Sequence, residues 1–295
     1  MLSVLKTPLS EATFRVQIMN AQMDNSPEDN ARRMVTVKTI QQLKGKRPIV
    51  AVTAYDAAVA RLVDPFVDWI LVGDSVGNNQ LGFSDTVPVT LDMMVHHTAA
   101  VCRAGPKSLV VSDVPFALAY RDLDVLLDGC CRLVQEGGAR AVKIEVGSEA
   151  VIDKIKVLVE AGIPVVGHIG LLPQTVQVLG GYRSFGKHEQ GRMRLLDWAK
   201  KLEQAGCFSV LGEMVAPAAA LAIKEALEVP FIGIGCGAGC DGQILVINDI
   251  LGLNEQVPGF VKRYGDLAGE IRKAVGSYAD DVRAGRFPEP PRERG

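Results

Sequence analysis

An α/β chain closed into a single (β/α)8 TIM barrel, with an N-terminal extension ahead of it, is what these 295 residues lead us to expect. Three features carry that expectation. Short β-rich runs alternate with longer stretches of helical periodicity, and strands separated by helices pair in parallel. Eight such runs spread over about 230 residues, close to the ~250 typical of a closed barrel. Several of them end on a polar or charged residue, and this fold gathers its chemistry at the C-terminal ends of its strands. A doubly wound open sheet would satisfy the alternation too, but no Gly-x-Gly-x-x-Gly turn follows the first strand.

Residues 1–34 mix acids with bases and end near a polar Asn-Ser-Pro-Glu-Asp-Asn stretch, so they read as an extension, loosely held or laid on a neighbouring subunit. Glu11, Asp24, Glu28 and Asp29 count against an organelle-targeting peptide, which is Arg-rich and poor in acids. The catalytic barrel is expected over 35–283. Its strand candidates are IVAVTAY closing at Tyr55, WILVGDS at Ser75, SLVVSDV at Val114 and AVKIEV at Val146, then PVVGHI at Ile169, FSVLGEMV at Val215, PFIGIG at Gly235 and ILVIND at Asp249. Each is a short apolar run with branched residues, the pattern of a buried strand. Apolar residues at helical spacing place helices over 90–104, 123–136, 148–161, 189–205 and 218–226. Gly105, Gly137, Gly162 and Gly206 follow four of these, where a left-handed cap is favoured. The Gly-rich stretch 233–242 after the seventh strand suits a phosphate held on backbone N–H groups. Residues 284–295, rich in Pro and Arg, read as an exposed tail.

Composition narrows the function. Hydrophobic residues are 48% and charged residues 22%, which fits a globular protein with a large core and excludes disorder of the whole. The net charge of −2, from 32 basic against 34 acidic side chains, provides no field for nucleic acid or an anionic membrane. No apolar run reaches the ~20 residues that cross a bilayer. Small molecules and copies of the chain itself are the expected partners. The six cysteines, at 102, 130, 131, 207, 236 and 240, show no CxxC spacing and read as reduced thiols of a cytoplasmic protein. Cys236 and Cys240 lack the further ligands that would complete a metal site, and Cys130 and Cys131 read as packing residues.

The strand ends converge on one mouth with Tyr55, Asp56, Asp74, Ser75, Asp113, Lys143, Glu145, His168 and Glu213. Asp74 and Asp113, with no cluster of Cys or His, favour a hard divalent cation such as magnesium. A cation held so sparsely suits a 2-oxo acid, chelated through carboxylate and keto oxygens, whose neighbouring C–H it acidifies. Lys143 can neutralise the carboxylate or enolate, His168 can donate a hydrogen bond, and Glu213 can remove the proton if burial raises its pKa. Simpler readings compete: a buried Lys143–Glu145 ion pair, a core histidine at 168, and a Glu213 paired with a helix N-terminus. Asp56, Asp92 and Asp249 read as caps or helix starts.

Between Thr36 and Leu267 the chain resembles the ketopantoate hydroxymethyltransferase family. The resemblance rests on TAYD at 53–56, GDSVGN at 73–78, TVPVTLDMMVHHTAAV from 86, SDVPF at 112–116 and VKIE at 142–145, with GHIGLLPQ at 167–174, GGYR at 180–183, DGQILV at 241–246 and FVKRY at 260–264. It implies transfer of a hydroxymethyl group from 5,10-methylenetetrahydrofolate to 3-methyl-2-oxobutanoate, through a magnesium-stabilised enolate, in pantothenate biosynthesis. It also implies a cytoplasmic homo-oligomer, a decamer. Carried over, Asp74 and Asp113 ligate Mg2+ with Glu145 at the metal site, Ser75, Lys143 and His168 stand with them around the oxo acid, and Glu213 is the base. The family's Val-Leu-Glu-Cys-Val-Pro run around that base is replaced here by 210–217 with an extra residue on either side of Glu213, which suggests a bulge. Ser184-Phe185-Gly186 and Cys236 depart from the family pattern as well. The alternatives are another magnesium-dependent carbon–carbon enzyme of the isocitrate lyase and phosphoenolpyruvate mutase kind, or a non-catalytic paralogue that binds an oxo acid.

Overall fold

The computed structural model describes residues 32–289 apart from Tyr182, so most of the 1–34 extension and the end of the 284–295 tail lie outside the described residues. Eight strands follow one another: β1 (Ile49–Thr53), β2 (Trp69–Val72), β3 (Leu109–Asp113), β4 (Ala141–Glu145), β5 (Val165–Gly170), β6 (Ser209–Glu213), β7 (Phe231–Ile234) and β8 (Gly242–Leu245). Every strand pairs in parallel with the next, and β8 pairs back onto β1, so the sheet is a closed barrel. Helices α1 (Val37–Leu43), α2 (Ala57–Val63), α3 (Val76–Asn79), α4 (Leu91–Arg103), α5 (Leu123–Gln135) and α6 (Glu149–Glu160) stand in its first half. The second half carries α7 (Val176–Leu179), α8 (Glu189–Gln204), α9 (Pro217–Ala226), α10 (Ile247–Leu251) and α11 (Leu267–Arg283).

Local chemistry sets the helix starts. Thr90 accepts the Met93 N–H at the head of α4, and Asp56 accepts from Ala58 and Val59 at the head of α2, as a cap reading of Asp56 requires. The buried faces are Met94, Val95, Thr98 and Val101 on α4, and Val151, Ile152, Ile155 and Leu158 on α6. Those faces and the outward residues of the strands form one core between barrel and helices.

A second core fills the barrel itself. Ile49 and Ala51, Trp69 and Leu71, Leu109 and Val111, Ala141, Val166, Leu211, Ile232 and Ile244 point inward, with Ile40 of α1 joining them at the lower end. Strand side chains alternate with period two, so the inward row continues upward to Thr53, Asp113, Lys143 and Glu145, His168, Glu213 and Ile234. The fold thereby delivers a polar ring directly above an apolar plug.

The lower rim is tied by acids whose acceptors are used. Asp68 takes two hydrogen bonds from Arg47 and one from the Val50 N–H. Asp241 takes the Lys44 ammonium at 2.7 Å and the Phe231 N–H at 2.9 Å. Asp64 accepts the N–H groups of Lys107 and Ser108.

Four features differ from the sequence reading. The eighth strand is Gly242–Leu245 rather than ILVIND, whose last residues, Ile247, Asn248 and Asp249, open α10. Among the described residues no helix separates β7 from β8. Residues 235–241 return the chain from the top of β7 to the bottom of β8, and a Cβ on Gly233 would lie 2.5 Å from Cys240 Sγ, so this crossover lies flat on β7. Of residues 233–242 only Ile234 lines the cavity described below, which leaves the expected phosphate loop without a place at the mouth. Past α5 the left-handed residue is Gly138, not Gly137. The sequence reading also passed over α11, whose Leu267, Ile271, Val275, Tyr278 and Val282 recur at helical spacing and remain exposed.

Candidate active site

Asp74, Ser75, Asp113, Lys143, Glu145, His168 and Glu213 line a single cavity of about 500 Å³ at the C-terminal ends of the strands. Tyr55 stands beneath it, its hydroxyl 2.9 Å from Ser75 Oγ, and burial holds that phenol protonated well above its ordinary range. The seven side chains come from five strand ends, β2 to β6, and occupy one half of the mouth. The other half, above β7, β8 and the segment after them, is mostly apolar, with Ile234, Ile244, Leu245, Val246, Val257 and Phe260, and carries Asp249, Asn254 and Gln256 as its polar side chains.

Lys143 is the cation of the polar half. Its Nζ lies 2.8 Å from Asp113 Oδ1, off the line of a formed hydrogen bond, so the buried ion pair is with Asp113 and not with Glu145. Burial opposes the ammonium charge, but Asp113, Glu145 and Asp74 together outweigh it and hold Lys143 protonated. One lysine cannot neutralise four carboxylates. Burial and the neighbouring Asp113 therefore push Asp74 up to about 7, burial and Asp74 push Glu145 well above its usual range, and burial raises Asp113 against the pull of Lys143.

His168 is buried and neutral, its pKa driven well below the ordinary value by burial and then by Lys143. Its Nδ1 lies 3.5 Å from Lys143 Nζ, and an ammonium only donates, so Nδ1 is the acceptor and Nε2 carries the hydrogen. That Nε2 lies 3.6 Å from Glu213 Oε2 and has no hydrogen-bond partner, so His168 is not a satisfied core histidine. Burial pushes the Glu213 carboxyl up to about 8, and Lys143 only partly offsets it. No bulge is needed to aim Glu213: β6 stays in register with β5 and β7 through Gly170↔Glu213 and Glu213↔Ile234. The turn comes one residue later, at Met214, whose φ of 52° is left-handed.

The donor set fits a hard cation. Asp113 Oδ1, Glu145 Oε1 and Thr86 Oγ1 are buried without hydrogen-bond partners; burial raises all three acids, Asp113 further raises Asp74, and Asp74 and Asp113 further raise Glu145, where a divalent charge would relieve them.

Comparison with known proteins gives the family of the chain. The ketopantoate hydroxymethyltransferase family profile matches residues 34–290. The chain belongs to the ketopantoate hydroxymethyltransferase family. The 3-methyl-2-oxobutanoate hydroxymethyltransferase of Phenylobacterium zucineum (strain HLK1) is 51% identical over 268 residues, covering 91% of this chain and 97% of the relative. That of Pyrobaculum calidifontis (strain DSM 21063 / JCM 11548 / VA1) is 48% identical, covering 88% and 97%. Among solved structures, 2,3-dimethylmalate lyase, a PEP mutase/isocitrate lyase superfamily member, aligns with TM-score 0.57 at 16% identity, covering 89% of this chain and 92% of that one. Phosphonopyruvate hydrolase, solved with oxalate and Mg++, aligns with TM-score 0.56 at 15% identity, covering 87% and 90%. At such identities the likeness is one of fold.

Two residues of this ketopantoate hydroxymethyltransferase family member escaped the sequence reading. Gln174 donates its side-chain amide to Asp74 Oδ2 at 2.7 Å and to the Val114 carbonyl, while its backbone N–H reaches Glu145 Oε2 at 3.2 Å. It closes GHIGLLPQ, so the motif pointed to it although no local pattern gave it a role. Asp249, read as a helix start, lines the apolar half of the cavity. Its Oδ1 accepts from Asn254 Nδ2 at 2.6 Å, and Asn254 also donates to Asn79 Oδ1.

Proposed function

We propose that the chain transfers a hydroxymethyl group from 5,10-methylenetetrahydrofolate to 3-methyl-2-oxobutanoate, giving 2-dehydropantoate through the enolate of the oxo acid. The observation that carries this is one cavity in which a buried ammonium and three acids face a separate carboxyl, Glu213, raised to about 8. Asp74 and Asp113 would hold a magnesium ion, with Glu145 beside it. Bound there, it would supply Lewis-acid charge that lowers the cost of the enolate.

The protein's own groups do the rest. Ser75, held by Tyr55, binds the substrate carboxylate. Lys143 stays charged and meets the carboxylate or the enolate oxygen. Glu213 takes the C3 proton, and its burial gives it a basicity matched to neutral pH. His168, with its N–H on Nε2, donates beside Glu213 and keeps the ring neutral while the enolate forms. Water hydrolyses the donor's methylene bridge, breaking both of its C–N bonds and returning protons to the two folate nitrogens. The C3 carbanion equivalent adds to the formaldehyde-level carbonyl so released, whose oxygen takes up the proton held by Glu213 and becomes the hydroxyl.

Turnover with 3-methyl-2-oxobutanoate and either the folate donor or formaldehyde, with and without magnesium, tests this reading. Product is expected only with the ion present. No product from either donor overturns it.

The protein is further read as a cytoplasmic homo-oligomer, a decamer, whose first 34 residues extend from the barrel. Free thiols at all six cysteines and the unburied apolar stripe of α11 support this. Sedimentation at working concentration measures the subunit number.

A further inference from the structure

The cavity is far larger than a five-carbon oxo acid requires and falls in the ~300–1,000 Å³ range of sites for drug-sized ligands. Its two halves differ in kind. The polar half, from β2 to β6, has the charges that suit a small acid. The half above β7 and β8 is walled by Met214, Ile234, Val257, Pro258 and Phe260 with the amides of Asn254 and Gln256 beside them, and Asp249 is its one ionisable group among the described residues. Met214 and Phe260 meet over Gly235, whose left-handed backbone has no Cβ to hold them apart: one built there would lie 2.8 Å from Met214 Sδ and 3.0 Å from the Phe260 ring. A mostly apolar wall with one fixed carboxylate at its edge suits a planar ring that carries hydrogen-bond donors on one side.

Asp249 is held in place for such a role. Asn254 donates to its Oδ1, Asn254 is in turn tied to Asn79, and Arg263 holds the carbonyls of Asn254 and Glu255 at 2.7 Å. Oδ2 has no protein partner among the described residues. A carboxylate has about four acceptor positions. One bond from Asn254 therefore leaves room for two more donors.

We propose that the β7–β8 side of the cavity is a pteridine subsite, in which Asp249 accepts the ring N–H and the exocyclic amino group of a 2-amino-4-oxopyrimidine while Met214 and Phe260 cover the ring face. The proposal rests on the reading above that the one-carbon donor is a reduced folate. Glu213, on β6, lies at the border of the two halves, so the donor's one-carbon unit and the C3 of the acid meet beside the base.

The test uses direct binding of tetrahydrofolate, followed by calorimetry, together with kinetics driven by methylenetetrahydrofolate and by formaldehyde. Asp249→Ala removes the acceptor. Asp249→Asn keeps the shape and the oxygen that Asn254 needs, and turns the other position into a donor facing donors, so it remains informative if the Ala variant folds poorly. Tetrahydrofolate affinity is expected to fall by about 10- to 100-fold in both, the range of a lost hydrogen bond to a charged group. The folate-driven kcat/KM should fall at least about tenfold further than the formaldehyde-driven value. Unchanged tetrahydrofolate affinity, or equal losses with both donors, overturns the subsite. A parent protein that binds tetrahydrofolate through Asp249 but makes no product would overturn the proposed function and leave the subsite standing.

Discussion

Glu213→Gln preserves the shape of the side chain at the end of β6 and removes only its ability to take a proton. Enolate formation precedes attack on the one-carbon unit, so exchange of the C3 proton into deuterium oxide should proceed with magnesium and oxo acid alone. A carboxyl raised to about 8 is about one-tenth ionised at pH 7 and about nine-tenths ionised at pH 9. The parent exchange rate should therefore climb about tenfold per pH unit on the acid side and level off at a midpoint no higher than about 8, since a bound cation pulls that midpoint down. In Glu213→Gln the rate should drop by roughly 100-fold or more, the loss of a general base, and the rising limb should vanish with it. Proton NMR of the C3–H signal against time, across a pH series, reads both quantities. Exchange at the parental rate, or a retained rising limb in the variant, would refute the assignment and turn attention to His168, 3.6 Å away.

Other perturbations probe the rest of the site. Asp74→Ala and Asp113→Ala should each abolish magnesium-dependent turnover and weaken metal binding by titration; Asp113→Ala should also lower the melting temperature, because a stranded buried Lys143 costs about 3–5 kcal/mol. Full activity and metal affinity in both would show the metal site misplaced. Lys143→Met should weaken oxo-acid binding and slow C3 exchange together, and an unchanged exchange rate would exclude its role. The pH dependence of metal-free stability follows from Asp74 at about 7 and Glu213 at about 8. Both are raised above their unfolded values, so the folded state binds more protons than the unfolded one. Stability is then fullest below the unfolded values and falls as pH rises through 7 and 8. Melting in chelator between pH 5 and pH 9 should show this decline and magnesium should shrink it; a flat profile contradicts the charge picture. Gly170→Ala places a Cβ against the Glu213 carbonyl at a φ of 96°, which costs at least about 1–2 kcal/mol and should lower both melting temperature and exchange; parental values of both would show that the β5–β6 contact has slack.

Most of the barrel was legible because its strands are short apolar runs whose polar exit residues fall in phase with the inward row. Asp113 follows Leu109 and Val111 at steps of two, and Lys143 and Glu145 follow Ala141 in the same way. The eighth strand was misplaced for a related reason. Gly242-Gln243-Ile244-Leu245 runs into Val246-Ile247, and an apolar run gives no mark of where strand ends and helix begins. The Gly-rich stretch 233–242 was rightly read as a loop but wrongly put at the mouth, because such a stretch reads alike whether it caps the mouth or runs down the outer wall. Gln174 lay beyond reach for another reason. Its bond to Asp74 spans 100 residues, and no local pattern encodes such a contact. Asp249 looked like a helix start because it is in one; only closure of β8 onto β1 turns α10 toward the cavity.

The two rims of the barrel would respond differently to substitution. Below, Asp64, Asp68 and Asp241 are bound to backbone N–H groups and to Arg47 and Lys44, and their exchange is felt as heat lability in any descendant, whatever its reaction. Above, Glu145 Oε1 and His168 Nε2 have no hydrogen-bond partner, so their replacement changes chemistry first, whereas Asp113 serves both ends through its ion pair with Lys143. A lineage can therefore rewrite its upper rim while inheriting the lower one nearly intact. Proteins sharing only 12–16% of their residues with this chain superpose on its barrel, so the fold itself tolerates wide change.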